Sequence, residues 1–147
     1  MSQPDDVSSE VDRLNVLVTE AICSAERRER ASGRRERSAW AEVARWEEAL
    51  TRILEAGEVE GRIARRGLVS ALLKAGWHQD ARDAYAAFAR ESGLRTEDRD
   101  AMRALLDEDD ARVASRVPAL GKRARIAEVL EFASRYARRE DPLGKAA

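Results

Sequence analysis

The sequence is poor in residues that interrupt helices. It has three prolines and eight glycines among 147 residues, and aromatic side chains make up 5% of it. Alanine, arginine, glutamate and leucine dominate instead, and all four are good helix formers. We therefore predict an all-α fold, built as a compact bundle or a short array of about six to seven helices.

The residues that most often carry chemistry are equally scarce. The single cysteine, Cys23, excludes an internal disulfide and suits a reducing compartment. We interpret it as a small half-buried helix residue, with a reactive thiol aided by Arg27 as the alternative. The single histidine, His78, is interpreted as a solvated or capping side chain in a turn. Because these two residues cannot supply a usual zinc site, and phosphate-binding glycine loops are absent, we expect no enzymatic activity, no metal and no cofactor.

Neither charge nor hydropathy indicates a membrane or a polyanion as the general partner. The 27 basic and 28 acidic residues give a net charge of −1, so any electrostatic function must be local. No apolar run approaches the ~18 residues of a membrane-spanning helix, and the N-terminus MSQPDDVSSE does not resemble a signal peptide. We expect a cytoplasmic protein, and the preference for arginine over lysine suggests a GC-rich bacterial genome.

Apolar spacing predicts one helical domain over residues 7–140, with disordered tails at 1–6 and 141–147. In the first helix, apolar residues recur at alternating spacings of four and three: Val7, Val11, Leu14, Val18, Ala21 and Ala25. This stripe favours packing against another helix of the same domain. A homodimer through the Val7–Ala25 helix is the alternative, because the same spacing is typical of a coiled-coil seam.

A charge-dense segment, ERRERASGRRERS, follows at residues 26–38 and contains the tetrad RRER twice. Its six arginines are Arg27, Arg28, Arg30, Arg34, Arg35 and Arg37. The segment is typical of a solvated helix end with internal ion pairs, broken at Ser32-Gly33. The alternative is a cationic patch for nucleic acid or another anion. Because no aromatic residue lies among the arginines, the stacking contacts of single-strand recognition are missing.

The next two helices are predicted from Ser38, as N-cap, to Ala56, and from about Glu58 onward. In the first of them Trp46 falls off the apolar stripe, and the polar side comprises Glu42, Arg45, Glu47, Glu48 and Arg52. Gly67 lies inside the second helix. It either breaks that helix or lets another helix approach closely.

Towards the C-terminus, Thr96 is predicted to cap a helix that ends in the acidic run Asp107–Asp110. We interpret that run as a helix end rather than a metal loop, because the spaced ligands and glycine of a calcium loop do not follow. A short helix at 111–117 and a final helix at about 119–139 complete the prediction.

The segment 65–90 is predicted to form a helical hairpin, with Gly76 ending its first helix, Trp77 in the turn and Asp80 capping its second helix. This hairpin resembles one unit of the tetratricopeptide repeat family. The matching positions are the packing residues of the first helix, the turn glycine, and the small and aromatic residues of the second helix: Leu68, Leu72, Gly76, Ala81 and Tyr85. The resemblance implies binding of a protein or peptide on a helical surface, without chemistry of its own.

These observations favour a non-enzymatic interaction or adaptor module that binds a protein partner, with Trp46, Trp77 and Tyr85 as candidate contact residues. A larger partner encoded nearby, such as a toxin, a defence effector or a secretion component, is the biological setting we expect. The alternative is a small nucleic-acid-binding protein that uses the Arg27–Arg37 patch.

Overall fold

The computed structural model describes residues 4–116, and this range forms five α-helices and no strand. They are α1 Pro4–Ser32, α2 Arg37–Ile53, α3 Val59–Lys74, α4 His78–Ala89 and α5 Thr96–Ser115. The all-α prediction is confirmed, with five helices in the described part against the six to seven expected overall. The final helix predicted at 119–139 and the tail at 141–147 lie outside the described residues.

The chain divides into two compact units between Asp109 and Asp110. The first unit holds α1 to α4 and α5 as far as Asp109. Of the second unit, the structure describes residues 110–116. The site and the packing discussed below belong to the first unit.

The first helix is longer than expected at both ends. It begins at Pro4, so residues 4–6 of the expected tail are helical, and it runs through the first arginine tetrad to Ser32. Gly33 ends it with a φ of 68°, and the Gly33 N–H donates to the Glu29 carbonyl. Cys23 lies on the exposed side of this helix, so its expected half-buried position is wrong.

Helices α1 and α3 each pack against α2, and α4 packs against α3. Two clusters of buried apolar residues fill the interior. The first core cluster includes Ala25, Trp40, Val43, Ala44, Leu68, Val69, Leu72, Ala81, Phe88, Met102 and Leu106. The second core cluster consists of Val11, Leu14, Val18, Leu50, Leu54 and Ala64. The apolar stripe of α1 is therefore buried largely inside the chain's own fold.

The turn between α3 and α4 follows a local rule that is visible in the sequence. Gly76 has a φ of 81°, its N–H donates to the Leu73 carbonyl, and the Trp77 N–H donates to the Leu72 carbonyl. These two bonds form a Schellman motif, which favours glycine because a Cβ is disfavoured in the left-handed region. The predicted end of α3 at Gly76 is confirmed.

The predicted side-chain caps are wrong at two helix starts. Helix α4 begins at His78 after Trp77, without a capping side chain, so Asp80 lies in the first turn instead, where its charge favours the helix dipole. Helix α2 begins at Arg37 after Glu36, also without a side-chain cap, so Ser38 already lies inside the helix.

Helix α2 ends at Ile53, three residues before the predicted Ala56, and a buried arginine holds its end. Arg65, 3% exposed, donates from Nη1 to the carbonyls of Leu54 (3.0 Å) and Gly61 (2.9 Å). Its Nε and Nη2 each bind a carboxylate oxygen of Glu91 at 2.9 Å. A helix end leaves carbonyls without partners, so Arg65 acts as a C-terminal cap of α2. It also links this end of α2 to Glu91, which follows α4.

Helix α3 passes unbroken through both of its glycines, so Gly67 does not break it. At each glycine another group occupies the place of a side chain. The Glu55 carbonyl lies where a Cβ of Gly61 would be, and the Glu47 carboxyl lies where a Cβ of Gly67 would be. Close approach, the second of the two alternatives for Gly67, is the correct one.

Helix α5 has Thr96 as its first residue rather than as its predicted N-cap, and it continues through Asp107–Asp110 to Ser115. The predicted break in the acidic run is therefore wrong. Asp109, from the middle of that run, is buried and pairs with His78 of α4. At the other end, Asp98 is buried and accepts from Nε of Arg62 at 2.6 Å. Polar pairs at Asp98 and Asp109 thus hold the part of α5 in the first unit to α3 and α4.

Candidate interaction surface at the helix turns

Two turns meet at one end of the first unit. Residues 33–36 connect α1 to α2, and residues 75–77 connect α3 to α4. The Arg37 side chain lies against Gly76, since a Cβ there would be 3.1 Å from Arg37 Cζ. The structure therefore brings the C-terminal part of the arginine segment next to Trp77, although the two were separate features of the sequence.

Trp77 borders a groove between α2 and the end of α3. The Trp77 groove has a volume of about 400 Å³ and is lined by Ser38, Ala41, Glu42, Ala44, Arg45, Glu48, Leu72 and Trp77. The Schellman motif sets the backbone of Trp77 next to the end of α3, and the indole remains 49% exposed. Small residues of α2 and Leu72 provide apolar surface, and the charged side chains of α2 surround it. Such a surface suits an apolar side chain with polar neighbours.

The other two candidate aromatics lie away from this groove. Trp46 is half-buried and packs against the second core cluster, with the Arg45 guanidinium 4.9 Å from the centre of its ring. Tyr85 is half-buried and packs against the first core cluster. The structure does not bring Trp46, Trp77 and Tyr85 together, and of the three only Trp77 presents half of its surface to solvent.

All six arginines of the arginine segment are exposed. Two of them form ion pairs across the turn between α1 and α2: Arg28 lies 3.1 Å from Glu36, and Arg35 lies 3.9 Å from Glu29. Within residues 4–116, four of the six form no ion pair: Arg27, Arg30, Arg34 and Arg37. The segment therefore combines two solvent-exposed ion pairs with four arginines that form none.

A second groove, of about 470 Å³, lies over Trp40 and is lined by Glu26, Glu29, Arg30, Arg35, Trp40 and Lys74. The indole N–H of Trp40 donates to Glu29 at 3.4 Å, and Lys74 Nζ lies 4.1 Å from the centre of the Trp40 ring. Three cations and two carboxylates line this space, so their charges largely balance. It does not offer the surface of one sign that a polyanion requires.

Glu47 was predicted on the polar side of α2, and this prediction is wrong. Its side chain is buried with the residue 6% exposed, and burial raises the pKa of its carboxyl from 4.5 to about 7. The sequence carries a signal for this position, since Glu47 shares the helical spacing of the buried residues Val43 and Leu50. An analysis of apolar residues alone misses this signal, because it assigns every glutamate to the polar side of a helix.

His78 was predicted to be a solvated or capping side chain, and it instead binds a buried carboxylate. Its Nδ1 lies 2.5 Å from Oδ2 of Asp109. The pair resembles the orienting half of a catalytic site, but no hydroxyl or thiol among the described residues hydrogen-bonds to His78. Sequence reasoning missed the pair because it joins residues on different helices.

Residues 4–116 contain no group of three or more histidine, cysteine, aspartate or glutamate side chains placed to hold a metal ion. Among the helices that the structure describes, none combines the length and apolar character needed to cross a bilayer. No protein-family model, curated protein or solved structure matches this chain. What can be proposed about its function therefore rests on the geometry of the two turns and their grooves.

Proposed function

We propose that the protein is a non-enzymatic interaction module of the cytoplasm that binds a protein partner through the Trp77 groove. The half-exposed indole of Trp77 carries this proposal. Leaving a large aromatic surface in water forgoes hydrophobic free energy that burial would recover, and tryptophan is enriched among residues that dominate binding energy. The adaptor role and the tetratricopeptide-like character of the α3–α4 hairpin belong to the same proposal.

The shape of the groove favours an apolar side chain of the partner as its occupant. Ala41 and Ala44 are small, so they leave open space between α2 and Trp77. Glu42 and Arg45 stand beside this space and can form hydrogen bonds at the edge of an interface, where such contacts remain partly hydrated. A larger partner encoded nearby, such as a toxin, a defence effector or a secretion component, remains the proposed setting.

The test is capture of the partner from native lysate, with nuclease treatment and mass spectrometry. The wild-type chain should retain one partner stoichiometrically. Trp77→Ala should lose that partner because the indole is removed, whereas Ile63→Ala should retain it. Ile63 is a matched control because it is 62% exposed and does not line the groove. Circular dichroism should show both variants folded. Retention by folded Trp77→Ala at wild-type stoichiometry would refute the proposed site.

Nucleic-acid binding is the second candidate, favoured by the exposed arginines of the segment that form no ion pair. Arg27, Arg30 and Arg34 could each neutralise a phosphate, and affinity would then fall steeply with salt. Replacing these three by glutamine should flatten that salt dependence. Replacing the paired Arg28 and Arg35 should change it less. Affinity that is indifferent to salt would exclude this candidate.

A further inference from the structure

Glu47 interrupts an apolar interface at the point where the two core clusters meet. On the buried face of α2 it lies between Val43, which belongs to the first core cluster, and Leu50, which belongs to the second. Ile22 of α1 packs against both clusters. A leucine or alanine here would continue the apolar stripe, so a buried carboxyl at this position needs an explanation.

Helix α3 is shaped to receive this carboxyl. A Cβ on Gly67 would collide with Oε1 and would lie 2.8 Å from Cδ and 3.3 Å from Oε2 of Glu47. Glycine inside a helix costs about 1 kcal/mol relative to alanine. The pairing of a buried acid with a helical glycine across the α2–α3 contact is therefore a specific fit.

On α2, the neighbouring charges are engaged elsewhere. Glu48 lies 3.0 Å from Arg52, and the Arg45 guanidinium lies over the ring of Trp46. No hydrogen bond or ion pair joins Glu47 to any residue that the structure describes. The carboxyl therefore has no compensating partner on its own helix.

The other two packed helices do not supply a partner either. On α3, Arg65 binds Glu91, and Arg66 lies 3.8 Å from Asp98. On α1, the residue that packs against both clusters is the apolar Ile22. An ionised carboxylate here would be buried without a counter-charge, so the neutral form is favoured.

Burial accordingly raises the pKa of Glu47 to about 7. Because this is above the ordinary value of 4.5, the folded chain binds the proton more tightly than the unfolded chain does. Protonation of Glu47 therefore stabilises the folded chain. This contribution is complete below about pH 4.5 and is lost as the pH rises through about 7. Every fully enclosed side-chain oxygen and nitrogen of residues 4–116 has a hydrogen-bond partner, so the unpaired oxygens of Glu47 keep a narrow path to solvent. The proton can therefore exchange without global unfolding.

We propose that Glu47 is a proton-sensitive lock between α2 and α3. When protonated, its neutral carboxyl rests over Gly67 and the two core clusters close on each side of it. When ionised, it recruits water to the α2–α3 contact and loosens it. Because α2 and α3 also line the Trp77 groove, the lock controls the walls of that groove. The lock itself does not depend on the proposed partner.

The first test compares unfolding of the wild-type chain, Glu47→Gln and Glu48→Gln in denaturant at several pH values. The amide of Glu47→Gln mimics the protonated acid, so this variant removes the titration while it keeps the shape. Between about pH 5 and about pH 8, the folding equilibrium constant of the wild type should fall on the order of 100-fold relative to Glu47→Gln. Glu48→Gln, which changes the exposed neighbour, should keep the wild-type dependence. Equal pH dependence of wild type and Glu47→Gln would overturn the proposal.

A second test uses the wild-type chain and so does not rely on a variant that folds. The carboxyl carbon of Glu47, followed by NMR, should titrate with a midpoint near 7, and a midpoint near 4.5 would overturn the lock. Hydrogen exchange then separates local loosening from global instability. Around Gly67 the wild type should exchange faster than Glu47→Gln above neutral pH and equally fast in acid, whereas α4 should not differ. A uniform difference across all helices would refute a lock confined to the α2–α3 contact.

Discussion

At the residue scale, the carboxyl of Glu47 occupies the space that a side chain at Gly67 would need. A methyl group at Gly67 would displace the Glu47 carboxyl from the place that it occupies against α3. Overpacking of this kind usually costs more than the helix propensity that alanine gains. The value of glycine at this position therefore depends on which residue faces it across the α2–α3 contact.

We predict that the effect of Gly67→Ala on the free energy of unfolding has opposite signs in the presence and absence of the Glu47 side chain. In the wild-type chain, Gly67→Ala should lower the free energy of unfolding by about 1–2 kcal/mol, because the carboxyl is forced out of its place. In a Glu47→Ala background the same change should raise it by up to about 1 kcal/mol, because the better helix former then meets open space. A double-mutant cycle in denaturant measures both values. A stabilising effect in both backgrounds would show that Glu47 does not occupy the site.

At the element scale, features set by neighbouring residues in the sequence could be predicted, whereas contacts between different helices could not. Apolar spacing and the glycine at position 76 located the α3–α4 hairpin, because both signals act within one or two helical turns. Pairs between helices could not be predicted from local sequence. The acidic run indicates a helix end at Asp109, whereas the structure shows the Asp109 side chain paired with His78. Glu47 counted as polar because its fit to α3 depends on a residue of another helix. Local chemistry sets helix positions, whereas buried polar groups depend on the tertiary partner.

Arg65 allows the clearest test at this scale, because one side chain joins three segments. Arg65→Lys should lower the free energy of unfolding by about 3 kcal/mol, since an ammonium cannot bind Glu91 with two parallel bonds and also reach the carbonyls of Leu54 and Gly61. Chemical denaturation measures the loss. Arg66→Lys is the matched control, because the side chain of Arg66 is 51% exposed and its effect should stay within about 0.5 kcal/mol. Equal effects of the two changes would show that Arg65 is not a structural link.

At the scale of the whole molecule, the near-zero net charge conceals an uneven distribution. The described ion pairs include exposed ones within α1 and α2 as well as the partly buried pair Arg62–Asp98. Unpaired arginines gather near Gly33, while Trp77 marks the neighbouring turn. Composition therefore predicted the fold class, but it did not predict that candidate contacts from two distant segments would share one end.

The apolar stripe of α1 gives the last prediction, which concerns oligomeric state. Val11, Leu14 and Val18 pack inside the second core cluster, so they are not available for a coiled-coil seam. Val16, on the other side of α1, is 56% exposed, and one such residue does not make a dimer interface. Light scattering at high protein concentration should therefore report the mass of one chain, and Val16→Glu should leave that mass unchanged. A dimer mass that Val16→Glu reduces to a monomer would instead place the seam on this outer face of α1. A dimer that survives Val16→Glu would require another surface, and the Trp77 groove would be tested next with Trp77→Ala.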